Sequence, residues 1–281
     1  MRLKQKAMNS ATQLLKTLIR VLGERRSTSI SAQLAEELAP IISQKTDYGT
    51  VNFFCPGKIP EWRARTLLVK EPETIEWINT FSDKDVFWDI GANVGVYTLY
   101  AALRDIDVMS FEPSPGNYYL LNRNIEINKM GNRISALCIA FNDTTRLDSL
   151  YMANTKLGGA LNSFAEAVDW KGQSLTVSFK QAMIGFSIDD FVRQFNPVFP
   201  NHIKIDVDGI ENRIIKGAEL TLSDKRVKSV LVELDSSRDD YCKDVIAAIE
   251  KAGMKFKKKQ HAPMFDNGAY SDCYNYIFMR S

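Results

Sequence analysis

Residues 87–95 read Phe-Trp-Asp-Ile-Gly-Ala-Asn-Val-Gly, and this stretch decides the fold. An apolar strand reaches the acidic residue Asp89, a glycine turn follows, and a helix opens at Val94. About 20 residues later a second apolar strand, 108–111, ends in Glu112. A helix N-terminus offers free N–H groups, and a carboxylate on the neighbouring strand can accept hydrogen bonds from both hydroxyls of a ribose. Together the two features predict a pocket for an adenosyl cofactor.

The spacing of the glycines indicates which cofactor is bound. Gly91 and Gly95 enclose the sequence Ala-Asn-Val, whereas a pyrophosphate site needs a further glycine between them. Asp89 precedes the turn, and its carboxylate would repel a phosphate. S-adenosylmethionine carries an ammonium and a sulfonium and has no phosphate, so the turn favours it over NAD. A nicotinamide-dependent oxidoreductase is the alternative class of enzyme.

The composition is that of an ordinary globular protein. The 281 residues can form one large α/β domain plus an extension, or two small domains, and 45% are apolar and 25% charged. A formal net charge of +2 is too small to indicate a nucleic-acid partner, and we expect none. The four cysteines form no Cys-x-x-Cys pair, which predicts reduced thiols rather than a disulfide or zinc framework.

The sequence contains neither a membrane-span pattern nor a secretory-signal pattern. No run approaches the ~18 apolar residues that a transmembrane helix needs. The N-terminus is basic but lacks an uninterrupted apolar core. We therefore expect a cytoplasmic protein.

The middle of the chain alternates strands with helices. Five apolar strands are predicted at 86–90, 108–111, 134–139, 202–207 and 229–234. Strands that alternate with helices imply a parallel sheet covered by helices on both faces. No crossover helix fits between the last two strands, 255–259 and 274–279, so they should form an antiparallel pair. The prediction is an α/β fold with a mostly parallel, seven-stranded sheet and an antiparallel last strand.

The alternation breaks between residues 140 and 200. Residues 154–174 are loop-like, with two adjacent glycines and several small polar residues. Long loops in compact α/β domains are often functional. We interpret 154–174 as a lid over the acceptor, and we expect its deletion to abolish acceptor turnover while cofactor affinity stays nearly intact.

Residues 1–65 are interpreted as a helical N-terminal extension, and 66–281 as the domain that holds the sheet. Leucines and an isoleucine recur at helical spacing over 14–22, and a second helix is predicted over 31–43. Residues 50–70 are predicted to form short strands and turns. Lysines and arginines surround the apolar stripe of the first helix. This pattern fits a helix that packs on its own domain or across a homodimer. The alternative is a basic amphipathic helix that lies on a membrane surface or recruits a partner.

Acidic residues at the carboxyl end of the sheet are the candidates for catalysis. Asp206 ends the fourth strand at the edge where open α/β sheets bind ligands, which makes it the strongest candidate for a general base. Asp208 is the second catalytic candidate. The two could share a divalent cation only if the strand continues, and we assign no metal ligand. Glu233 and Asp235, at the end of the fifth strand, are runners-up.

The two histidines receive no catalytic role. Methyl transfer to an alcohol needs alignment of the reacting atoms and an acceptor for the hydroxyl proton. His202 precedes the fourth strand and therefore lies at the opposite edge of the sheet, where we interpret it as structural. His261 lies in the terminal loop and is interpreted as a surface residue.

Several segments resemble the FkbM-type methyltransferases, a branch of the Rossmann-like S-adenosylmethionine-dependent enzymes. They are 70–78 (Lys-Glu-Pro-Glu-Thr-Ile-Glu-Trp-Ile), 88–98, 111–115 (Phe-Glu-Pro-Ser-Pro), 124–128 (Asn-Ile-Glu-Ile-Asn), 187–191 (Ser-Ile-Asp-Asp-Phe) and 203–211 (Ile-Lys-Ile-Asp-Val-Asp-Gly-Ile-Glu). The resemblance covers about 66–235 in the family's order. It implies a Rossmann-like class I methyltransferase fold, S-adenosylmethionine as cofactor, and an O-methylated acceptor that is a sugar, a glycan or a natural product.

The resemblance also implies roles for individual residues. Those expected to contact the cofactor are Asp89, Gly91, Ala92, Asn93 and Gly95 in the turn, Glu112 at the ribose with Pro113 and Ser114 beside it, Asn142 and Asp143 at the adenine, and Asp206 where cofactor and acceptor meet. Asp208 stands where the family usually has a glutamate, so its carboxylate reaches one methylene less far. A non-catalytic module that binds the cofactor and recruits a partner through the N-terminal helix is a third alternative.

Overall fold

The computed structural model describes residues 2–280. Contacts between Cα atoms divide the chain after Ile41 into an N-terminal unit and a unit of residues 42–281. The N-terminal unit contains α1 (Arg2–Val21) and α2 (Glu24–Glu37), joined at Gly23, whose φ of 83° suits a glycine. No helix within residues 2–280 combines the length and the apolar content needed to cross a bilayer.

Thirteen strands and eight further helices are found in the described part of the chain. The helices are α3 (Lys58–Arg65), α4 (Pro72–Ile78), α5 (Val96–Leu103), α6 (Pro115–Ile127), α7 (Ile188–Phe195), α8 (Glu211–Lys216), α9 (Glu219–Ser223) and α10 (Asp239–Lys251), with a 3-10 turn at Pro263–Phe265. The strands are β1 (Ile41–Thr46), β2 (Gly49–Phe54), β3 (Val86–Ile90), β4 (Asp107–Phe111), β5 (Ile134–Leu137), β6 (Ala140–Phe141), β7 (Arg146–Met152), β8 (Asn162–Phe164), β9 (Phe179–Phe186), β10 (His202–Ile205), β11 (Ser229–Asp235), β12 (Met254–Gln260) and β13 (Cys273–Arg280).

Seven strands form the large sheet, in the spatial order β12-β13-β11-β10-β3-β4-β5. The strands from β5 to β11 are parallel, and β13 lies antiparallel between β11 and β12. The predicted mostly parallel sheet with an antiparallel last strand is therefore confirmed. The chain proceeds from β3 outward to β5 and later from β10 outward in the other direction. The topological switch point, where such sheets open a crevice, lies between β3 and β10.

Strand β3 is buried along its whole length because apolar groups cover both faces of the sheet. On one face Trp88 contacts Phe111 and Phe191, with ring centroids 5.2 and 5.8 Å apart. On the other face Phe87 contacts Trp77 and is 5.8 Å from it. Successive side chains of a strand point to opposite faces, so two neighbouring aromatic residues anchor two separate halves of the core.

Residues 140–186 contain a second sheet with the order β6-β9-β7-β8. Part of the segment that was predicted to be a loop, 154–174, is ordered here as β8. Phe164 in that strand is 2% exposed and packs in a small core with Leu150 and Met152. Packing thus holds residues 154–174 in place at β8. The stretch before β8 runs toward the large sheet.

The structure differs from the prediction before residue 70. Helix α2 ends at Glu37 instead of residue 43, and β1 follows and pairs with β2. Pro40 explains the early end, because it lacks an N–H and its ring disfavours a helical residue before it. Helix α3 lies where short strands and turns were expected. The stretch 1–65 therefore mixes helices with a hairpin, and the domain boundary at residue 65 stays a prediction.

Candidate functional site

The carboxyl ends of β3, β4, β10 and β11 open into one cavity. Residues that follow these four strands line it, among them Gly91, Glu112, Asp206 and Glu233. Parallel strands end at the same edge of a sheet, and the crevice opens at the switch point. The fold therefore brings the acidic residues Glu112, Asp206 and Glu233, from the ends of three separate strands, to one cavity.

The turn after β3 depends on glycine at residue 91. Gly91 has a φ of 86°, and the N–H groups of Gly91 and Ala92 donate to the carbonyl of Phe111 at 2.9 and 3.1 Å. A Cβ atom on Gly91 would lie 1.9 Å from the carbonyl oxygen of Asp206. The turn is thus packed between the ends of β4 and β10, which a residue with a side chain would not permit.

Asp89 lies buried just before this turn. Its Oδ2 accepts a hydrogen bond of 2.6 Å from Thr98 Oγ1, while its Oδ1 is buried without a partner among residues 2–280. Burial raises the pKa of Asp89, and the charge of Lys204 opposes that rise. An unpartnered buried carboxylate oxygen is costly, so this atom suits a ligand that donates to it. Gly95, with a φ of 84°, completes the turn at the start of α5.

Glu112 faces the turn from the end of β4. Its Oε2 accepts a hydrogen bond of 2.8 Å from the backbone N–H of Asn93, and its Oε1 accepts one of 2.8 Å from that of Ser114. The residue is buried, and burial raises the pKa of Glu112 to about 7. Both oxygens therefore lie fixed beside the turn and retain lone pairs for a further donor.

Buried charges of both signs lie beside the end of β10. Lys204, only 1% exposed, donates to Asp206 Oδ2 at 2.5 Å, and Lys70 forms an ion pair with Glu71. Glu71, Asp206 and Glu233 place carboxylate oxygens within 4.8 Å of one another. These three carboxylates could bind a cation together, but the ammonium groups of the two lysines already neutralise two of them. The pair that was considered for a shared metal, Asp206 and Asp208, does not form this group.

The pKa values of Asp206 and Glu233 are shifted in opposite directions. Burial alone would raise the pKa of Asp206, but the charges of Lys204 and Lys70 outweigh it and hold the pKa at about 2. Burial and the charges of Asp206 and Glu71 raise the pKa of Glu233 well above its usual value. The cavity therefore combines an Asp206 carboxylate that its lysine neighbours keep ionised at neutral pH with a Glu233 carboxyl group whose environment favours the protonated form.

Asp208 is engaged by the segment predicted as a lid. Its Oδ2 accepts hydrogen bonds from the backbone N–H groups of Leu161 and Asn162, at 2.6 and 3.0 Å. Burial raises the pKa of Asp208 to about 6, and the two N–H groups oppose the rise. The shorter side chain thus anchors the lid segment next to the cavity, and a direct catalytic role for Asp208 stays a prediction.

Residues 154–174 also contact the glycine turn after β3 directly. The carbonyl of Gly159 accepts hydrogen bonds from Asn93 Nδ2 at 2.8 Å and from Asn117 Nδ2 at 3.0 Å. Asn117 Oδ1 in turn accepts one of 2.8 Å from the N–H of Gly158. The lid segment and the turn are therefore one connected structure, which the sequence gave no reason to expect.

Four buried oxygens of residues that line the cavity have no hydrogen-bond partner in the described range. They are Oε2 of Glu73 and the Oδ1 atoms of Asn93, Asn162 and Asn275. An amide oxygen accepts hydrogen bonds and cannot donate them, and the same holds for an ionised carboxylate. A ligand that satisfies these atoms must be rich in donor groups.

Not every predicted residue reaches the cavity. Pro113 lines it beside Glu112, whereas Ser114 contributes through its backbone. The side chain of Asn142 donates to the carbonyl of Phe164 at 3.4 Å and accepts from the N–H of Asp143 at 2.7 Å, and it does not line the cavity. Asp143 is paired with Arg213 and Lys216 at 3.2 and 3.4 Å. Asp143 is thus held by surface cations. Contact of Asn142 and Asp143 with an adenine stays a prediction.

The two histidines lie on opposite edges of the sheet. His202 is buried between Ser229 and Asp85, at 2.7 and 3.0 Å, and burial lowers its pKa to about 4. This neutral histidine joins strands at the edge away from the cavity, which agrees with a structural role. His261 lines the cavity and is half-buried, with Nε2 3.2 Å from Asp266, so the expectation of a surface residue is wrong.

Sequence reasoning missed several residues that line the cavity. Arg63 comes from α3, upstream of the segments that resemble the family, and Asn275 comes from β13 near the other end of the chain. Lys70 and Glu71 were named only within the segment 70–78 that resembles the family, with no role in a site. A charged Lys-Glu pair next to an otherwise apolar stretch is a weak signal that could have indicated a buried ion pair.

Comparisons with known proteins agree with this geometry. The family model described as the methyltransferase FkbM domain matches residues 89–256. The hexuronic acid methyltransferase AglP of Haloferax volcanii is 23% identical over 214 residues, which cover 76% of this chain and 81% of the relative.

Solved structures of low sequence identity also align with this chain. The METTL16 methyltransferase domain aligns over 85% of this chain and 86% of its own, with a TM-score of 0.47 and 12% identity. The ribosomal protein L11 methylase of Lactobacillus delbrueckii subsp. bulgaricus aligns over 74% of this chain and 76% of its own, with a TM-score of 0.45 and 9% identity.

The family match confirms the resemblance that the sequence motifs indicated. It spans more than half of the chain and begins at Asp89, the acidic residue before the glycine turn. The chain belongs to the FkbM methyltransferase family and is a methyltransferase.

Proposed function

We propose that the protein transfers a methyl group from S-adenosylmethionine to a hydroxyl group of a sugar or glycan-like acceptor. The observation that carries the proposal is the acidic turn between β3 and α5. It combines an unpartnered carboxylate oxygen on Asp89 with the fixed carboxylate of Glu112. A positively charged nucleoside complements these two groups.

The residues present fit this cofactor. Glu112 would accept hydrogen bonds from the ribose hydroxyls, and Asp89 Oδ1 would accept one from the ammonium group. Because Gly91 has no side chain, the turn packs directly against the carbonyl of Asp206, a residue that lines the same cavity. When bound, the cofactor supplies an activated methyl group. The pyrophosphate of NAD would instead meet the buried carboxylate of Asp89, which disfavours the oxidoreductase alternative.

A sugar-like acceptor is supported by two separate observations. The relative AglP is named for a hexuronic acid, a sugar derivative. The unpartnered oxygens of Glu73, Asn162 and Asn275 line the cavity and require donors. A polyhydroxylated acceptor supplies several hydroxyl donors at short intervals, whereas an apolar natural product would leave these oxygens unsatisfied.

Asp206 is the residue that we assign to the hydroxyl proton. It lies at the end of β10, where the cavity reaches the cofactor turn, and Lys204 holds its carboxylate in place. Ionised Asp206 would orient the acceptor hydroxyl and accept its proton as the oxygen loses it. A protonated Glu233, which the direction of its pKa shift favours, would keep the total charge of the group low. Alignment of the hydroxyl contributes most to the rate, and the proton acceptor contributes ~10²–10⁴-fold.

Two titrations and one screen test the proposal. Calorimetry with S-adenosylhomocysteine and with NAD separates a methyltransferase site from an oxidoreductase site, and binding of NAD alone would reject the proposal. A panel of neutral sugars, amino sugars, uronic acids and polyketides with a labelled methyl group then identifies the acceptor. Labelling of polyketides only would reject the sugar. Turnover that is unaffected by Asp206→Asn would reject the assigned proton acceptor.

A further inference from the structure

Arg63 is the cavity cation without a carboxylate partner. It projects from α3, upstream of the matched family domain, and its Nε donates to the carbonyl of Gly158 at 2.7 Å. Within residues 2–280 Arg63 forms no ion pair, whereas Lys70 and Lys204 are both paired with carboxylates. A guanidinium has five N–H donors in a planar fork, so most of its donors remain for a ligand.

A small recess beside the main cavity brings Arg63 together with the start of the cofactor turn. Its lining includes Arg63, Asp89, Gly91 and Tyr97. Asp89, whose Oδ1 has no hydrogen-bond partner within residues 2–280, is one of the residues that line this recess. A cationic fork and an unpaired anionic oxygen that share one recess complement the carboxylate and the ammonium of an α-amino acid.

We propose that Arg63 binds the α-carboxylate of the cofactor's methionine moiety while Asp89 binds its ammonium. The inference rests on the proposed function, since it assumes an S-adenosylmethionine site. The recess lies on the α5 side of the turn, where Ala92 and Tyr97 line it, and Glu233 and Asn275 do not. Arg63 therefore serves the amino-acid end of the cofactor and not the acceptor.

Decarboxylated S-adenosylmethionine isolates the carboxylate, because it keeps the nucleoside and the sulfonium. We would titrate both forms into the wild-type protein, Arg63→Met and the control Arg65→Met by calorimetry. Arg65 lies on the same helix and is already paired with Glu61 at 3.0 Å. The wild type should prefer the carboxylated form by about tenfold or more. Arg63→Met should bind both forms about equally, and Arg65→Met should keep the preference.

The outcomes distinguish this inference from the proposed function. If Arg63→Met keeps the preference and only the acceptor KM rises, Arg63 binds the acceptor and the inference is overturned. If the wild type binds neither form, the cofactor proposal itself fails. Arg63→Lys retains the charge but not the planar guanidinium fork, so an intermediate preference for the carboxylated form in that variant supports carboxylate binding. Thermal denaturation would reveal a folding defect in Arg63→Met. In that case Arg63→Lys still tests the inference.

Helix α1 supports a second, independent inference. Its apolar side chains remain exposed: Leu14, Leu15, Leu18 and Val21 lie between 48% and 80% exposed. Their spacing of three and four residues places them on one face of the helix. Lys16 and Arg20 fall on the opposite face, so the helix is amphipathic with a basic polar side.

The charges of residues 1–23 indicate what kind of surface α1 binds. Residues 1–23 contain five basic residues and no aspartate or glutamate; the basic residues are Arg2, Lys4, Lys6, Lys16 and Arg20. We infer that α1 lies in the plane of an anionic lipid surface, with its leucines at the acyl boundary and its cations at the headgroups. Two copies of a helix with this charge would repel each other, which disfavours a self-associating helix.

Vesicle co-sedimentation of the full chain tests this second inference. We would compare phosphatidylcholine vesicles with mixed phosphatidylglycerol–phosphatidylcholine vesicles. The wild type should bind the anionic vesicles, and Leu18→Glu should weaken binding by about tenfold or more. Gln13→Glu adds the same charge on the polar side, next to Lys16 and Arg20, and should retain most of the binding. Equal binding to both vesicle types, or loss of a dimer in Leu18→Glu without vesicle binding, would overturn the inference.

Discussion

The Oε2 atom of Glu112 accepts a hydrogen bond of 2.8 Å from the backbone N–H of Asn93. This contact joins the end of β4 to the turn that follows β3, two elements that the sequence identified separately. It fixes the distance between the glycine turn and the carboxylate, and it buries that carboxylate. Both the stability of the protein and its cofactor affinity should therefore depend on the protonation of Glu112.

The first prediction concerns stability. Because burial raises the pKa of Glu112 to about 7, above its ordinary value of 4.5, its stabilising contribution is complete below pH ~4.5 and is lost as the pH rises through about 7. Glu112→Gln should reduce the stability difference between pH 5 and pH 8 by up to about 3 kcal/mol. Urea denaturation at both pH values measures this. Exposed Glu126, mutated to Gln, is the control and should leave the difference unchanged.

The second prediction concerns cofactor affinity. Ribose hydroxyls donate to an ionised carboxylate, so binding of S-adenosylhomocysteine should favour the deprotonated form of Glu112. Affinity should rise between pH 6 and pH 8, and about one proton should be released on binding near pH 6. Calorimetry in two buffers of different ionisation enthalpy measures the proton. An affinity that is flat with pH would show that Glu112 does not contact the cofactor.

The third prediction concerns the turn itself. Gly91→Ala places a Cβ against the carbonyl of Asp206 and forces a positive φ on alanine, so it should destabilise the protein by at least about 3 kcal/mol. The control is Gly131→Ala, where an added Cβ has no neighbour within 4 Å, and its effect should stay within about 0.5 kcal/mol. Denaturant unfolding of both variants compares the two sites, and equal effects would contradict the close approach.

The fourth prediction separates two neighbouring carboxyl groups. Asp206→Asn leaves the buried ammonium of Lys204 without its closest counter-charge and should cost about 3 kcal/mol at pH 7. Glu233→Gln retains the neutral form that the raised pKa of Glu233 already favours, so it should cost less than about 1 kcal/mol.

Both variants would be unfolded with urea at pH 7. The contribution of Asp206 should then disappear as the pH falls through about 2, because its pKa is lowered by folding. A larger loss for Glu233→Gln than for Asp206→Asn would contradict the assigned protonation states.

The fifth prediction concerns the lid segment. Asn117→Ala removes the hydrogen bonds to Gly158 and Gly159, and the latter also contacts the turn through Asn93. We therefore expect both a higher acceptor KM and an affinity for S-adenosylhomocysteine that is lower by about tenfold. This revises the expectation that loss of the lid would spare cofactor binding. Asn122→Ala on the same helix bonds only within α6 and should change neither quantity.

Much of the fold could be predicted because its signals are local. The strand Val86–Ile90 has the predicted bounds and Ser229–Asp235 extends one residue beyond them, since apolar runs and end signals depend on neighbouring residues. The prediction failed at α2, which ends before Pro40, and at α3, whose short helix has no clear apolar periodicity. In both places a single breaker or a tertiary contact outweighs the pattern.

The sequence by itself determined that acidic residues end the parallel strands at one edge of the sheet. The glycine turn and Glu112 could be recognised because their geometry is set within a few residues. Only the tertiary structure decided which groups meet those residues. Asn275 donates to Glu73 across 202 residues, and Arg63 and Gly158 are 95 residues apart. Such contacts follow from packing of the whole chain, because burial selects partners by shape and charge and leaves no periodic trace in the sequence.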